Sequence, residues 1–470
     1  MANDALCWLP ATELATLIRK RKISPVEVVD AALDRIDRLN PRLNAYVTVT
    51  ADEARKAARA AERAVGRKGA RPGPLHGVPF SVKDLVITSG VRTTFGTPLY
   101  RDHVPAEDAP MVERLRAAGA IMLGKTNTPT FGWIGATHNL LFGATRNPWN
   151  LERTPGGSSG GASAAVAAGL GPLAIGTDGG GSIRIPASFA GIFGLKPSYG
   201  RIPTYPVGGG WSLSHIGPMT RTVADAALVL SVCAGPDERD QYSLPIDGVD
   251  YVRALRGSLK GLRVAYSDDL GFVEAVDPEV RKVCGLASRA FRELGCRVET
   301  VHPNWPSPRE AWHEIFYGGI ATRLSPFFDR RDEIDPGLYR LMQAALANPP
   351  TRYIQAWFDR LAWAQHPRAL FARYDLLLTP TVACAAFPIG LDYPAEVAGK
   401  PVEPIAWTPF TFPFNLTGQP AASVPCGFTE NGLPIGLQIV GRRFDDATVL
   451  RAAAGFERVR PWAARRPPVG

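Results

Sequence analysis

The sequence predicts an α/β fold in which a parallel or mixed β-sheet is covered by helices on both faces. Strand and helix signals alternate through residues 75–235, as such a sheet requires. The apolar, alanine-rich stretch 162–175 lies between two loops rich in glycine and serine. Linkers are polar at both ends, so these loops are expected to belong to the core. With no internal repeat and no second domain boundary, the 470 residues are expected to form a single domain.

Residues 1–70 are predicted to form an N-terminal helical wrap outside that core. Amphipathic helices are expected over 11–21, 25–39 and 51–67. The second helix has a capping box at its start, with Ser24 as the cap, Pro25 at the first helical position and Glu27 closing the box. The Asn40-Pro41 pair is expected to end it, because the residue before a proline disfavours helix.

Residues 71–235 carry the motifs and are predicted to be the central part of the sheet. Strands are expected over 78–82 and 121–123, a helix over 107–118, a turn over 124–127, and a helix capped by Thr222 within 214–234. The first strand ends at Lys83. From residue type alone, a surface ion pair with Asp84 is the favoured interpretation, because lysines are almost never fully buried.

Residues 236–375 are predicted to be a variable, mainly helical region. A polar connector over 236–260 precedes strands at 262–266 and 297–300 and a helix at 278–294. The stretch 305–373 is helical and rich in aromatic residues, most of which are expected in the core. Residues 376–470 return to the sheet, and the basic tail over 458–466 is expected to be loosely ordered.

Composition narrows the classes of protein that remain. The net charge of +9 comes from 53 basic and 44 acidic residues that are scattered along the chain, which favours a solvated basic exterior over a nucleic-acid surface. The chain has no apolar run of the roughly 20 residues that span a membrane, and no signal peptide is predicted. Six cysteines without a C-x-x-C spacing indicate neither zinc nor a disulfide framework. A reduced, cytoplasmic protein is expected.

The two serine loops are the strongest functional signal. Residues 156–161 read Gly-Gly-Ser-Ser-Gly-Gly, and residues 177–182 read Thr-Asp-Gly-Gly-Gly-Ser. Glycines let a main chain approach a ligand closely, so the second loop suits amide N–H groups that point at an anion beside the Ser182 hydroxyl. The first loop also matches the nucleophile elbow G-x-S-x-G. Arg153-Thr154-Pro155 before it is a poor buried strand, and none of His215, His302, His313 and His366 lies in a loop typical of a base.

These motifs resemble the amidase signature family. The family pattern is matched by 156–161, by 176–186 with its Thr-Asp-Gly-Gly-Gly-Ser-Ile-Arg run, and by Gly-Leu-Lys-Pro at 194–197. Ser158 and Ser182 stand 24 residues apart, as in the family, and Lys83 lies in a matching Gly-Val-Pro-x-x-x-Lys-Asp context. Thr130 stands where the family usually carries a glutamate. The resemblance covers nearly the whole chain and is weakest between about 240 and 370.

The resemblance implies a single amidase domain over 1–470, built on a large twisted mixed sheet. It also implies a Ser-cisSer-Lys triad, with Ser182 as nucleophile, Ser158 as relay after a cis peptide and Lys83 as base. A buried lysine loses water, which favours its neutral form and makes it a proton acceptor. The expected oxyanion hole consists of the backbone N–H groups of Gly179, Gly180, Gly181 and Ser182. Neither a metal nor an organic cofactor is called for.

Substrate contacts are expected from the loop after the second strand and from the helical region over the site. The candidates are Phe131, Trp133, Ile134, Gly157, Trp312 and Phe316. For the three of them at 131–134, burial in the core is an equally good interpretation.

Three functions are compatible with this pattern. The favoured one is a free-standing amidase that cleaves the C–N bond of a carboxamide, anilide or related carbamate or ester through an acyl-enzyme. The alternative is the glutaminase subunit of a tRNA-dependent aspartyl/glutamyl amidotransferase. A non-catalytic scaffold is disfavoured because all three triad positions are filled. The aromatic passage 407–414 suits an apolar or aryl substrate better than glutamine. The expected partner is a small molecule, without nucleic acid or membrane, and the oligomeric state, a homodimer included, stays open.

Overall fold

A mixed β-sheet of eleven strands runs through the part of the chain that the computed structural model describes, residues 2–67, 69, 71–208, 210 and 212–469. The described residues form thirteen strands, of which all but β10 and β11 belong to this sheet. They are β1 (Tyr46–Val49), β2 (Pro79–Lys83), β3 (Ile121–Thr126), β4 (Leu173–Asp178), β5 (Phe193–Lys196), β6 (His215–Thr220), β7 (Arg263–Tyr266), β8 (Arg297–Thr300), β9 (Leu376–Pro380), β10 (Glu396–Val397), β11 (Lys400–Pro401), β12 (Ala421–Phe428) and β13 (Pro434–Gly441). The short strands β10 and β11 pair only with each other.

Helices flank this sheet, as the sequence predicts. They are α1 (Ala2–Leu6), α2 (Ala11–Arg19), α3 (Pro25–Leu43), α4 (Ala51–Gly66), α5 (Pro110–Ala117), α6 (Gly160–Ala167), α7 (Arg184–Ala190), α8 (Val223–Cys233), α9 (Tyr251–Ala254), α10 (Pro278–Glu293), α11 (Arg309–Leu324), α12 (Pro336–Ala347), α13 (Pro350–Trp363), α14 (Gln365–Arg373), α15 (Pro413–Leu416) and α16 (Asp446–Val459). In the described residues, no helix is long and apolar enough to cross a membrane.

The strand order places the two motif-bearing strands side by side. The order is β1-β3-β2-β4-β6-β5-β12-β13-β9-β7-β8. Strand β2 runs parallel to both β3 and β4, with Val82 opposite Ile175. Because parallel strands end at the same edge of a sheet, Lys83 and the loop that follows Asp178 emerge together.

The apolar connector between the two serine loops is buried throughout, as predicted. It forms α6 and then β4, and every residue of 162–175 is buried. Small residues allow α6 to lie close to the sheet, which positions the serine loop at its N-terminus against the end of β2.

Two predicted ends of elements are wrong. Helix α3 begins with the predicted Ser24–Glu27 capping box, but it passes Pro41 and ends at Leu43. The Asn40 side chain accepts hydrogen bonds from the amides of Ala45 and Tyr46, so the chain turns after the helix rather than at the proline.

The predicted turn at 124–127 is the second error, since β3 continues to Thr126. Thr126 pairs with Lys83 on β2 and with Tyr46 on β1, a strand that the sequence did not predict. Tertiary pairing on both sides therefore outweighs the local turn signal of Gly124.

The basic tail is packed, and the expectation of a loosely ordered terminus is wrong. Trp462 is buried and donates its indole N–H to the Arg221 carbonyl at 2.9 Å. The Arg465 guanidinium lies over the ring of Phe428, and Val469 is buried. Burial of Trp462, the cation–π contact of Arg465 and the Arg460–Glu293 ion pair together hold this segment.

The aromatic region 305–373 forms α11 to α14 over the carboxyl-end edge of the sheet. Its helix α11 contributes Trp312, Phe316, Tyr317 and Ile320 to a buried cluster that also includes Phe412. By contrast, Phe358 on α13 is 61% exposed. The prediction that most aromatic residues of the region are core holds for only half of them. The buried ones are Trp305, Trp312, Phe316, Tyr317, Trp363 and Phe371. Helix α11 is the helix that reaches the cavity described below.

Candidate active site

Lys83, the last residue of β2, is fully buried among hydroxyl groups. Its Nζ lies 2.6 Å from Ser158 Oγ, 2.9 Å from Ser159 Oγ and 2.9 Å from Thr177 Oγ1. Burial lowers the pKa of Lys83 well below its ordinary value, and the carboxylate of Asp178 opposes that shift only in part. Burial therefore favours the neutral form of the amine. The predicted surface pair with Asp84, the interpretation from residue type alone, is wrong, because Lys83 is fully buried.

Of the hydroxyls around Lys83, those of Ser158 and Thr177 are left as proton donors to it, and Ser158 is the nearer. A neutral amine has two N–H donors and one lone pair. Ser159 donates its own proton to the Thr177 carbonyl at 3.2 Å, so it meets Lys83 as an acceptor. Ser158, at the shortest distance, is the hydroxyl placed to share its proton with the lone pair.

Ser158 lies on the loop that leads into α6. The Gly157–Ser158 peptide is cis. The Ser159 amide donates to the Ser182 carbonyl at 3.1 Å, which joins the two serine loops directly. A Cβ on Gly157 would lie 2.2 Å from the Ala136 carbonyl oxygen, so the close approach of the two segments requires glycine here.

The nucleophile-elbow alternative does not match this geometry. No strand precedes Ser158 in the described chain from Leu151 to Gly157. No histidine is among the described residues that line the cavity next to Ser158. His215 is buried on β6, where its Nδ1 lies 2.8 Å from the Leu213 carbonyl oxygen.

The glycine loop after β4 is anchored to a buried ion pair. Asp178 Oδ1 accepts the Gly181 amide at 2.7 Å and Arg184 Nη2 at 2.8 Å. Burial alone would raise the pKa of Asp178, but the Arg184 guanidinium holds it well below its usual range. The Gly181 N–H is thus already engaged, whereas the amides of Gly179, Gly180 and Ser182 donate to no other described residue.

Two side chains from outside the loop bind its carbonyl groups. The Trp312 indole Nε1 donates to the Gly179 carbonyl at 2.8 Å, and Thr411 Oγ1 donates to the Gly180 carbonyl at 2.7 Å. The loop is therefore held on three sides, by Asp178, Trp312 and Thr411.

A cavity joins the two serines. Ser158, Thr177, Gly179 and Ser182 all line it. Most of its remaining wall is apolar, formed by Leu85, Val86, Phe95, Ile216, Ile320 and Leu324. Arg323 carries the one charge among the described lining residues, and its guanidinium donates to the Val207 carbonyl at 2.9 Å.

The six predicted substrate contacts divide into two groups. Phe131 and Phe316 line the cavity. The other four lie behind its wall. Trp133 and Ile134 pack in the cluster around α11, Gly157 lies against Ala136, and Trp312 bonds to the glycine loop. Each of these four is in contact with the protein interior, and their contact with a substrate stays a prediction.

Several residues of the site were missed at the sequence level. Ser159 and Thr177 contact Lys83, and both stand inside the motifs that were recognised. Thr411 lies in the aromatic passage 407–414, where the rings are a stronger signal than the hydroxyl. Only a structure could assign Thr411, because it is 231 residues from the carbonyl that it binds.

The arrangement contains the parts that acyl transfer needs. A buried amine whose neutral form is favoured contacts the Ser158 hydroxyl, the Ser182 hydroxyl lines the same cavity, and unengaged amides of the glycine loop lie beside Ser182. Such a set can deprotonate a nucleophile and stabilise a developing oxyanion.

Known proteins with similar sequences point in the same direction. A family model described as Amidase matches residues 27–450. An acylamidase of Rhodococcus erythropolis is 43% identical over 477 residues, covering 99% of this chain and 98% of the relative. A glutamyl-tRNA(Gln) amidotransferase subunit of Moorella thermoacetica is 40% identical over 491 residues, covering 99% of each chain.

Solved structures share the fold over nearly the whole chain. A bacterial aryl acylamidase of the amidase signature enzymes superposes with a TM-score of 0.91 at 35% identity, covering 97% of both chains. A 6-aminohexanoate cyclic dimer hydrolase gives a TM-score of 0.90 at 32% identity, covering 98% of this chain and 99% of the other.

Proposed function

The chain belongs to the amidase family and hydrolyses C–N amide bonds, and from that premise we propose that Ser182 is its nucleophile, Ser158 its proton relay and Lys83 its base. The observation that carries the proposal is the 2.6 Å contact between Lys83 Nζ and Ser158 Oγ, in a cavity that Ser182 also lines. Burial lowers the pKa of Lys83 at this contact, and a lysine can act as a general base only if its pKa is lowered in this way.

The proton moves along the relay in both directions. As Ser182 Oγ attacks the amide carbonyl, its proton passes to Ser158, whose own proton passes to Lys83. When the tetrahedral intermediate collapses, Lys83 returns a proton through Ser158 to the leaving nitrogen, because an amine leaves poorly unless it is protonated. Water then opens the acyl-enzyme by the same path.

The oxyanion is held by backbone amides of the glycine loop. Gly179, Gly180 and Ser182 supply the donors, since their N–H groups donate to no other described residue. The sequence also predicted Gly181 as a donor. Its N–H serves Asp178 instead, so Gly181 shapes the loop and is omitted from the set of donors.

The preferred substrate carries an aryl or long alkyl group. Apolar side chains form most of the cavity wall, and covering apolar surface contributes about 25 cal/mol per Å². The named activities of the acylamidase and aryl acylamidase relatives agree with this class. Carboxamides, anilides and related carbamates or esters are the candidate substrates.

A glutaminase subunit is the second candidate, because an amidotransferase relative is 40% identical over the whole chain. Glutamine would bring an ammonium and a carboxylate into the cavity. The described lining residues include no carboxylate to meet the ammonium, and burying an unpaired charge is costly.

The two candidates are separated by a hydrolysis screen of the purified chain. We expect efficient cleavage of an aryl anilide and little cleavage of glutamine, with Ser182→Ala as the blank. The measured quantity is kcat/KM for both substrates, first with the chain alone and then with any proteins that co-purify. Glutaminase activity that requires a partner, without anilide cleavage, would make the chain part of an amidotransferase.

A further inference from the structure

The glycine loop is held by two side chains that belong to neither serine motif. Trp312 comes from α11, one of the helices α11 to α14 that we call the helical cover. Thr411 comes from the segment just before α15. Trp312 is 2% exposed and Thr411 is fully buried. Each donates a hydrogen bond to a different carbonyl of the loop, Trp312 to Gly179 and Thr411 to Gly180.

A hydrogen bond to a carbonyl also orients the amide that follows it. In a planar trans peptide, the carbonyl of one residue and the N–H of the next point in opposite directions. Trp312, by binding the Gly179 carbonyl, therefore fixes the direction of the Gly180 N–H. Thr411 fixes the next peptide in the same way, and the Gly181 N–H at its other side meets Asp178 at 2.7 Å.

Trp312 and Thr411, together with Phe316, explain why the loop consists of glycines. A Cβ on Gly179 would lie 2.9 Å from Phe316 Cε2, and one on Gly180 would lie 2.5 Å from Trp312 Cζ2. A Cβ on Gly181 would lie 2.5 Å from Thr411 Oγ1. Real side chains do not approach this closely, so Trp312 and Thr411 are packed directly on the loop backbone as well as bonded to it.

We propose that Trp312 and Thr411 are positioning residues that hold the amides of the glycine loop in the geometry that binds the developing oxyanion. The proposal rests on the proposed function, in which Ser182 attacks and that loop stabilises the intermediate. Neither side chain touches the reacting atoms. Trp312 acts on the peptide plane that carries the Gly180 N–H. Thr411 fixes the next plane, whose Gly181 N–H binds Asp178, and so acts through the backbone on the donors at either side of it, Gly180 and Ser182.

Trp312→Phe tests the first half, because it keeps an aromatic ring and removes the N–H. Losing one oxyanion donor costs about 10²–10³-fold in kcat, and a misplaced donor costs less. We expect kcat for an aryl anilide to fall about 10- to 100-fold, with KM within about twofold of the wild type. The acid limb of the pH profile should not move, since Lys83 is untouched.

Trp363→Phe is the matched control. Trp363 is also a buried tryptophan of the helical cover, and its Nε1 donates to the Pro306 carbonyl at 2.8 Å, in a bond of the same kind that does not involve the loop. We expect kcat and KM of this variant to match the wild type.

Thr411 offers a comparison at a single position. Thr411→Val keeps the shape and removes the hydroxyl, whereas Thr411→Ser keeps the hydroxyl. Since Thr411 Oγ1 also lies 3.1 Å from the Thr408 carbonyl oxygen, a retained hydroxyl can restore both contacts. We expect Thr411→Val to lower kcat about 10-fold and Thr411→Ser to recover most of it.

A transition-state analogue gives a second readout. The Ser182 hydroxyl adds to the carbonyl of an aryl trifluoromethyl ketone, forming an Oγ–C bond. The proton passes to Lys83 through Ser158, and the ketone oxygen becomes the oxyanion. The affinity of the trifluoromethyl ketone for the Trp312→Phe and Thr411→Val variants should fall by about the same factor as kcat. The affinity for the amine product should stay unchanged.

Each outcome decides the proposal. Wild-type kcat in Trp312→Phe or in Thr411→Val removes that residue from it, and a change confined to KM would make that residue a substrate contact instead. A loss in Trp363→Phe equal to that in Trp312→Phe would reduce the effect to general packing. Activity in Ser182→Ala would overturn the proposed function itself, independently of these variants.

Discussion

The carboxyl-end edge of the sheet and the helical cover above it use opposite kinds of interior. At the edge, Lys83, Asp178 and Arg184 are fully buried polar groups whose partners come mostly from the two serine motifs. In the cover, Trp312 stacks on Phe316 with ring centroids 4.6 Å apart, inside a cluster that is largely apolar. In the proposed mechanism the proton chemistry belongs to the edge, and we expect the choice of substrate to depend on the cover, with Trp312 as a link between them.

The two interiors also differ in what a single substitution does. Removing one partner of a buried ion pair such as Asp178–Arg184 leaves an uncompensated charge, at a cost of about 3–5 kcal/mol. Truncating an apolar side chain on the cavity wall mainly removes contact area. Variants of the proposed proton relay at the edge should change kcat by orders of magnitude. Variants of the cavity wall in the cover, unlike those of Trp312 behind it, should change substrate preference by smaller factors.

Ser182→Ala is expected to show the largest effect. Without the nucleophile, amide turnover should fall by about 10⁴- to 10⁶-fold, while the half-buried position leaves folding intact. Steady-state rates and the melting temperature measure both points. Ser163→Ala, a buried serine of α6 away from the cavity lining, is the control and should keep activity. An inactive Ser158→Ala beside a fully active Ser182→Ala would contradict the assignment of the nucleophile.

The edge was largely predictable from the sequence because its motifs resemble those of a known family, and that resemblance implied which residues meet there. The serine loops lie within 26 residues of one another along the chain, and Lys83 ends the strand that pairs with β4. The positions of these motifs at the ends of β2 and β4 and at the start of α6 therefore determine most of the geometry of the edge. What the motifs did not predict was the use of each polar atom, such as the Gly181 N–H that serves Asp178 rather than the cavity.

Lys83→Met should separate the two halves of the proton relay. A nitrophenyl ester has a leaving group that departs without a proton, so the variant should lose more activity on an amide than on the matched ester, by about 10²-fold or more. The ratio of the two kcat/KM values is the measurement.

Lys125→Met is the control for burial of an amine. Lys125 is equally buried on the neighbouring strand β3, but it donates to Val86, Thr88 and Thr93 rather than to a serine. Its amide-to-ester ratio should equal that of the wild type. Equal losses on the two substrates in Lys83→Met would exclude the relay.

The pH profile is expected to have an acid limb set by Lys83. Burial disfavours the charged amine, so the pKa of Lys83 is lowered and the neutral base persists to a lower pH than for an exposed lysine. Below that pKa the amine binds a proton and loses its lone pair. Activity on amides should therefore be full above the pKa and should fall as the pH decreases through it. A rate that stays constant from neutral pH well into acid would rule out a lysine base.

The cover was predictable only in outline. Its aromatic composition correctly indicated helices and a buried cluster, but not which rings face the cavity. A helix presents neighbouring residues to different surroundings, so Phe316 reaches the wall while Trp312 reaches the loop backbone. Which ring faces the cavity and which contacts the loop depends on how α11 lies over the edge, and no local sequence motif predicts that orientation.

The smallest effect is expected from Ile320→Ala, which tests whether the cover selects the substrate. Ile320 is one turn beyond Phe316 on α11, is 4% exposed and lines the cavity. A lost apolar contact of this size is worth about 1–2 kcal/mol, so kcat/KM for a bulky aryl anilide should fall about 5- to 30-fold, mainly through KM. For acetanilide, whose small acyl group covers less of the wall, the change should be smaller. Ile354→Ala makes the same truncation on α13, where the side chain is 54% exposed, and should leave both substrates unaffected. Melting temperatures of both variants separate a loss of binding from a loss of folding. If Ile320→Ala lowered kcat equally for the two anilides, the cover would contribute to the chemistry, and the division of labour between the two regions would not hold.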